Sequence, residues 1–272
     1  MKRQFFKKSF KFSQSLVPFL HGIFITLIFF FFIMSDYEDG LFDRMAKNTF
    51  NKGPHFISYT TKVLNLLNTA HTVLRDREKL FAGKPVNFRD SLFRSYDVDL
   101  LDARGGCGSY SYVLAKLLIS KGINTRIGQM KCGDEWGCHV IVEAKINDKW
   151  IILDPTYNIA FTNKNNQIVG FKELHNNFNK FKSQTPSHYP EEFTYDDIRY
   201  TNWNKIPLLF KTIKKVLKIF LKKEEINNIS LRVLVMNIYK IYLIITVISY
   251  FIFCIFTFWR KQKNMMLKLS EI

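Results

Sequence analysis

Two long apolar stretches, one near each end of the chain, most constrain what this sequence can fold into. Residues 16–34 and 241–259 each run for 19 positions without a charged side chain. About 20 such residues in a helix cross the roughly 30 Å hydrocarbon core of a bilayer. The sequence therefore predicts a transmembrane helix over 16–34, a second over 241–259, and a separate domain between them.

The first stretch has an alternative interpretation, because a cleaved signal peptide is also apolar and N-terminal. Its apolar run is long, however, and the Phe-Ile-Met-Ser-Asp sequence at its end contains no small-residue cleavage site. We therefore expect 16–34 to be retained as a membrane anchor.

The basic residues are concentrated beside these stretches. The formal net charge is +17, yet residues 36–205 hold 23 Lys and Arg against 20 Asp and Glu. A nearly neutral central domain argues against nucleic acid as the partner and favours a lipid bilayer. The basic segments 1–15 and 260–272 predict two cytoplasmic termini, with residues 36–240 on the extracytoplasmic side.

A basic amphipathic segment covers 206–240, before the second apolar stretch. Apolar residues recur there at helical spacing between many lysines, at Ile206, Leu209, Phe210, Ile213, Val216, Leu217 and Phe220. This pattern is typical of a helix lying on a membrane surface. A helix packed on the central domain remains the alternative.

The central domain, 36–205, alternates helical and strand patterns, which predicts an α+β domain with an antiparallel sheet. The main predicted helices and strands cover 57–80, 109–120, 123–130, 138–146 and 149–156. Asn147-Asp148 is expected to form a two-residue hairpin turn. Residues 87–106 are expected to be irregular. One short helix is expected around Phe171, Leu174, Phe178 and Phe181.

Cys107 directly precedes the predicted helix 109–120 and follows Arg104-Gly105-Gly106. The positive end of a helix dipole favours the thiolate, which is the nucleophilic form of cysteine. The glycines leave space for a substrate carbonyl, and the Cys107 backbone N–H is a candidate oxyanion donor. The alternative is a buried, inert cysteine.

The predicted hairpin supplies a base and an orienting carboxylate. If Ile146 pairs with Lys149, then Ile141 falls opposite Asp154 and His139 opposite Thr156. His139 and Asp154 then lie diagonally on one face of the sheet. We expect Asp154 to orient the imidazole and His139 to exchange a proton with Cys107.

Zinc binding is a rival use of the cysteines. Cys107, Cys132, Cys138 and His139 are its possible ligands, but the Cys-x₅-Cys-His spacing is not typical of a zinc site. We therefore predict no metal and no cofactor. Cys132 and Cys138 are expected to form a disulfide if the domain is extracytoplasmic and to be free thiols if it is cytosolic.

These motifs together resemble the transglutaminase-like cysteine peptidase superfamily. The likeness covers 104–157: Gly106-Cys107 before a helix, then Gly122-Ile123-x-x-Arg126, His139-x-x-x-Glu143 and Trp150-x-x-Leu153-Asp154-Pro155-Thr156. It implies a papain-like fold in which Cys107 is the nucleophile, His139 the base and acid, and Asp154 the orienting residue.

The resemblance also implies an activity. Members of the superfamily cleave or transfer amides through a thioester, so we expect a membrane-anchored hydrolase or acyltransferase acting on a protein or peptide near the membrane. Related enzymes carry an oxyanion-donating glutamine before the cysteine, whereas here none lies between Phe81 and Cys107, and Asn87 is a distant candidate. The alternative is an inactive domain that serves as a membrane-tethered binding or scaffold module.

Overall fold

The computed structural model describes residues 2–51, 58–81, 94–203 and 207–269, and the chain divides into two compact units. One unit holds the residues up to Tyr37 and those from Ile238 onward. The other holds Glu38–Asn237. The proposed amide donor Asn87 lies outside the described residues.

The first unit consists of a long N-terminal helix, up to Tyr37, and a long C-terminal helix; the rest of the N-terminal helix belongs to the second unit. Helix α1 is Lys2–Phe50 and the C-terminal helix α9 is Ile238–Leu269. Both are long and apolar enough to cross a membrane, with mean hydropathies of 2.5 and 2.4 over their most apolar windows. Helix α1 continues without interruption past the predicted end of the span at residue 34.

The two helices of this unit run in opposite directions. Nδ1 of His21 lies 3.0 Å from the Tyr250 hydroxyl. Farther along α1, the ring of Phe31 lies 5.4 Å from that of Tyr242, between centroids. The two helices are therefore antiparallel. The beginning of the first apolar segment and the end of the second lie at the same end of this helix pair.

The second unit is an α+β domain, as the sequence predicts. Its elements in chain order are α2 (Tyr59–Phe81), α3 (Tyr96–Asp102), α4 (Cys107–Ser120), β1 (Thr125–Cys132), β2 (Glu135–Ile146), β3 (Lys149–Leu153), α5 (Phe171–Phe181), a 3₁₀ turn (Lys182–Gln184), β4 (Asp197–Arg199), α6 (Pro207–Phe220), α7 (Lys223–Asn227) and α8 (Leu231–Val235).

Four antiparallel strands form one sheet in the order β3-β2-β1-β4. The predicted hairpin register is confirmed, since Ile146 pairs with Lys149 and Val142 with Leu153. Asn147 and Asp148 both have positive φ, at 48° and 62°. This is the backbone that a two-residue type I′ turn requires, and Asn and Asp tolerate it well.

Apolar clusters cover both faces of the sheet. Val140, Val142 and Ala144 of β2 pack with α2, α3 and α4, whereas Ile141 packs with β3, α5 and the segment that follows it. The predicted apolar stripe of α4 is fully buried, at Tyr110, Val113, Leu114, Leu117 and Leu118. This packing fixes the position of the first residue of α4, which is Cys107.

Two predictions about local structure are wrong. Residues 96–102 are helical rather than irregular, because Asp97 and Asp99 suit the first turn of a helix and Tyr96 and Leu100 share a buried face. The third strand ends at Leu153 rather than at residue 156. Asp154 instead forms a bridge with Ile159, and Pro155 has no backbone N–H to donate.

A buried lysine joins distant parts of this unit. Lys116 of α4 is only 4% exposed. Its Nζ donates to Asp39 Oδ1 at 2.6 Å and to Asn237 Oδ1 at 2.8 Å, and it lies 3.3 Å from Glu38 Oε1. Lys116 thus connects helix α4 to both ends of the Glu38–Asn237 unit.

Candidate active site

Cys107 is the first residue of α4, which begins two positions before the predicted helix start at 109, and its half-buried thiol is free. The preceding residue, Gly106, caps the helix with φ 53° and ψ −133°, a conformation that glycine adopts readily and other residues rarely do. The first backbone N–H groups of a helix have no partner within the helix. The sulfur therefore lies at the positive end of the α4 dipole, where the Gly108 N–H already donates to the Gly105 carbonyl oxygen at 3.1 Å.

A buried polar network supports the turn before Cys107. The backbone N–H of Gly105 donates to Ser109 Oγ at 2.9 Å, and Ser109 donates in turn to Asp99. Arg94 donates to the same carboxylate through Nε and Nη2, at 2.9 and 2.8 Å. Asp99 is 1% exposed, so these bonds satisfy a charge that would otherwise be costly to bury.

His139 of β2 and Asp154 form the predicted hydrogen-bonded pair. His139 Nε2 lies 2.8 Å from Asp154 Oδ2, and each residue is 1% exposed. The expected pairing of His139 with Thr156 does not form, because the β3 ladder ends at Leu153. The hydrogen bond between His139 and Asp154 still forms, because the strands pair in the predicted register as far as Leu153. The chain turns away from the sheet only after Leu153.

Cys107 completes the row of groups. Its side chain lies beside the imidazole of His139 and contributes to raising the pKa of that ring. Since Nε2 faces Asp154, Nδ1 is the ring nitrogen left for the sulfur. The structure therefore brings together all three of the site residues that the sequence predicts.

The electrostatics of the site favour a charged imidazole. Burial alone would lower the pKa of His139, but the Asp154 charge and its hydrogen bond, together with Cys107, raise this pKa to about 10. At neutral pH the ring is then an imidazolium, which is a proton donor and a counter-ion for a thiolate.

The carboxylate of Asp154 is held from both oxygens. Oδ1 accepts the backbone N–H groups of Thr156 at 3.1 Å and Tyr157 at 3.4 Å. The Tyr189 hydroxyl donates to Oδ2 at 3.2 Å and lies 2.7 Å from the hydroxyl of Tyr195. With these partners the carboxylate has little freedom to turn away from His139.

An aromatic wall covers the imidazole. The ring of Phe193 stacks on that of His139 with centroids 4.4 Å apart and an interplanar angle of 14°. The ring of Tyr157 lies 5.7 Å from the imidazole. Sequence reasoning missed Tyr189, Phe193 and Tyr195, because they follow a polar, asparagine-rich stretch. Their clustering within seven positions was the available signal.

Cys132 and Cys138 are joined by a disulfide, with Cα atoms 6.1 Å apart. The bond closes the tip of the β1–β2 hairpin on the strand that carries His139. It also removes two of the four ligands on which the rival zinc interpretation depends.

A large cleft of about 1060 Å³ lies away from this site, against the β2–β3 turn, α2 and α5. Its lining is rich in amide side chains and includes Asn147, Asn163, Asn166, Gln167, Asn176 and Asn177. None of the three predicted site residues lines it. The hydrogen-bonded pair of His139 and Asp154, with Cys107 beside it, is the candidate site considered further.

Comparisons with known proteins leave the family open. No family model, no curated protein and no solved structure matches this chain.

Proposed function

We propose that the domain is a transglutaminase-like thiol enzyme that hydrolyses or transfers amide bonds. The observation that carries the proposal is the buried, hydrogen-bonded pair of His139 and Asp154 with the half-buried side chain of Cys107 beside it. A cysteine at a helix N-terminus, packed against an antiparallel sheet that bears the histidine, also agrees with the family resemblance in 104–157.

In the proposed reaction, the Cys107 thiolate attacks the carbonyl carbon of an amide. The carbonyl oxygen gains negative charge, which the backbone N–H of Cys107 stabilises. The C–N bond then breaks, and the His139 imidazolium gives its proton to the leaving amine. The acyl group remains on Cys107 as a thioester.

The second half of the reaction releases the acyl group. Water or a second amine attacks the thioester carbon and loses a proton to the now neutral His139, while the C–S bond breaks and the thiolate is restored. Asp154 stays ionised throughout and stabilises the imidazolium, as the orienting carboxylate does in other triads.

The site is proposed to face the extracytoplasmic side, with the substrate a protein or peptide close to the membrane. The Cys132–Cys138 disulfide supports this location, since disulfides persist in oxidising compartments. The antiparallel pairing of α1 and α9 is consistent with two termini on one side of a bilayer. Their basic flanks favour the cytoplasmic side.

The proposal is tested by thiol reactivity in the full chain. The variant Cys254→Ser leaves Cys107 as the free cysteine and serves as the parent. We expect iodoacetamide to alkylate Cys107 at pH 6 at least tenfold faster in the parent than in His139→Ala, because the imidazolium stabilises the thiolate. Mass spectrometry of the Cys107 peptide measures the rate, and circular dichroism checks folding.

Turnover is measured with the same variants. Peptide amides are presented to the protein in detergent, with and without a primary amine, and a thioester adduct on Cys107 is sought by intact mass. Cys107→Ala and His139→Ala are expected to give neither adduct nor product. Equal alkylation rates in the parent and His139→Ala, with no adduct in either, would favour the inactive scaffold.

A further inference from the structure

We infer that helix α6 is a membrane-surface anchor whose partner is a bilayer of anionic lipids. The inference concerns a surface of the domain away from the proposed catalytic row and does not depend on enzymatic activity. It also decides between the two alternatives that the sequence leaves open for this segment, which are a membrane surface and the body of the domain.

Three apolar residues of α6 are exposed, whereas Ile213 and Leu217 are half-buried. Val216 is 51% exposed, Ile219 75% and Phe220 77%. These three residues are spaced at i, i+3 and i+4, so they lie on one side of the helix. A helix packed on the domain would bury such residues, as α4 buries its own stripe. Packing on the domain therefore does not account for the side of the helix that carries Val216, Ile219 and Phe220.

The opposite face of α6 is strongly basic. The segment 207–223 contains six lysines and no acidic residue, at Lys211, Lys214, Lys215, Lys218, Lys222 and Lys223. At 100° per residue, the lysines within the helix cluster on the side opposite Val216 and Phe220. One of them, Lys214, lies 5.6 Å from the ring centroid of Trp203.

Exposed apolar residues on one side of α6 and lysines on the other favour an anionic lipid surface as the binding partner of this helix. Apolar residues on one side with lysines on the other suit the boundary between acyl chains and headgroups. Long lysine side chains can extend their charge to the headgroup level while their methylenes remain in apolar surroundings. The cluster of like charges favours an anionic headgroup over a zwitterionic one.

The position of α6 in the chain points the same way. Residues 221–237 separate it from α9, which is long and apolar enough to cross a membrane. A bilayer crossed by α9 is therefore always within reach of this segment. A soluble protein partner of α6 would have to compete with this bilayer.

The test uses the full chain with both free cysteines replaced, Cys107→Ser and Cys254→Ser. One probe position is Val216→Cys on the apolar face, and the matched control is Lys218→Cys on the basic face. Each is labelled with an environment-sensitive fluorophore and reconstituted in vesicles of phosphatidylcholine, alone or with 30% phosphatidylglycerol. Nitroxide groups on the lipid acyl chains serve as quenchers.

We expect the label at 216 to be quenched in the anionic vesicles and the label at 218 to remain in water. Each lysine changed to glutamine should lower the surface partition of the helix about fivefold in these vesicles. The four substitutions are Lys211→Gln, Lys214→Gln, Lys215→Gln and, in the chain labelled at 216, Lys218→Gln.

Three outcomes would overturn the inference. The first is a label at 216 that stays in water in anionic vesicles. The second is quenching that is equal in neutral and anionic vesicles and unaffected by the glutamine variants. The third is shielding of the label that follows the protein-to-lipid ratio, which would identify a second copy of the chain as the occupant.

Discussion

Tyr189 donates a hydrogen bond across 3.2 Å to Asp154, on the carboxylate oxygen that also faces the imidazole. The tyrosine is 35 positions away in sequence and 9% exposed. Asp154 is therefore fixed by a residue outside the 104–157 motif region, and the row of interacting groups has at least four members.

Replacing Tyr189 with phenylalanine should cost about 1.5–3 kcal/mol of folding free energy, the range for a hydrogen bond to a charged group. Tyr195→Phe is the matched control, because it removes only the neutral bond between the two hydroxyls, worth about 0.5–1.5 kcal/mol. Thermal or denaturant unfolding of the full chain in detergent compares the two. Equal losses would show that the bond to Asp154 is not the important one.

Stability should depend on pH through His139. Its pKa in the folded chain, about 10, lies above its ordinary value of 6.5. The stabilisation is therefore complete below about pH 6.5 and is lost as the pH rises through 10. His139→Gln should lower the free energy of unfolding by more at pH 6 than at pH 10, with a difference on the order of a few kcal/mol.

The control for this prediction is His188→Gln. His188 is an exposed histidine whose ring lies 5.7 Å from that of Tyr157. Its effect on unfolding should be small at both pH values. If His139→Gln were equally destabilising at pH 6 and pH 10, the ion pair with Asp154 would not exist in solution.

At pH 9, Lys116→Met should destabilise the domain by about 3–5 kcal/mol, because it leaves the buried Glu38, whose pKa burial raises to about 7, without its counter-ion. Adding Glu38→Gln should recover part of the loss by removing the unpaired charge. Lys121→Met is the control, since its partner Asp43 is exposed and such pairs are worth about 1 kcal/mol or less. Denaturant unfolding of the four chains would show no recovery in the double variant if the loss came only from packing.

Gly105→Ala and Gly106→Ala should weaken the site for different reasons. A Cβ at 105 would fall 1.9 Å from Arg94 Nη2, so the network under the turn must move. A Cβ at 106 meets nothing within 4 Å, and its cost is only the unfavourable backbone conformation, about 1–3 kcal/mol. We expect slower alkylation of Cys107 in both variants, with the larger loss in Gly105→Ala. The reverse order would contradict a supporting role for the network.

Local patterns were sufficient to predict the parts of the site that depend on short-range geometry. The stripe of α4 placed Cys107 at a helix start, and the Asn147-Asp148 turn set the register that brings His139 near Asp154. Both features follow from periodicity and turn chemistry, which act over a few residues.

The remaining parts depend on contacts between segments far apart in sequence. Tyr189 and Phe193 reach the site only because the chain after α5 folds back over the sheet, and no periodicity predicts that return. Strand β4 has three residues and pairs with β1 across about 70 positions. The end of β3 was misplaced because Asp154 has a competing partner in Ile159.

The near-complete burial of His139 and Asp154 has a practical consequence for how the site can be attacked. Reagents that modify imidazoles or carboxyl groups from water would find both shielded by the rings of Phe193 and Tyr189 and by the backbone after β3. Cys107 is half-buried and is the least buried member of the row. Chemical inactivation of the folded protein should therefore begin at sulfur, and electrophiles selective for soft nucleophiles should outperform acylating agents aimed at histidine.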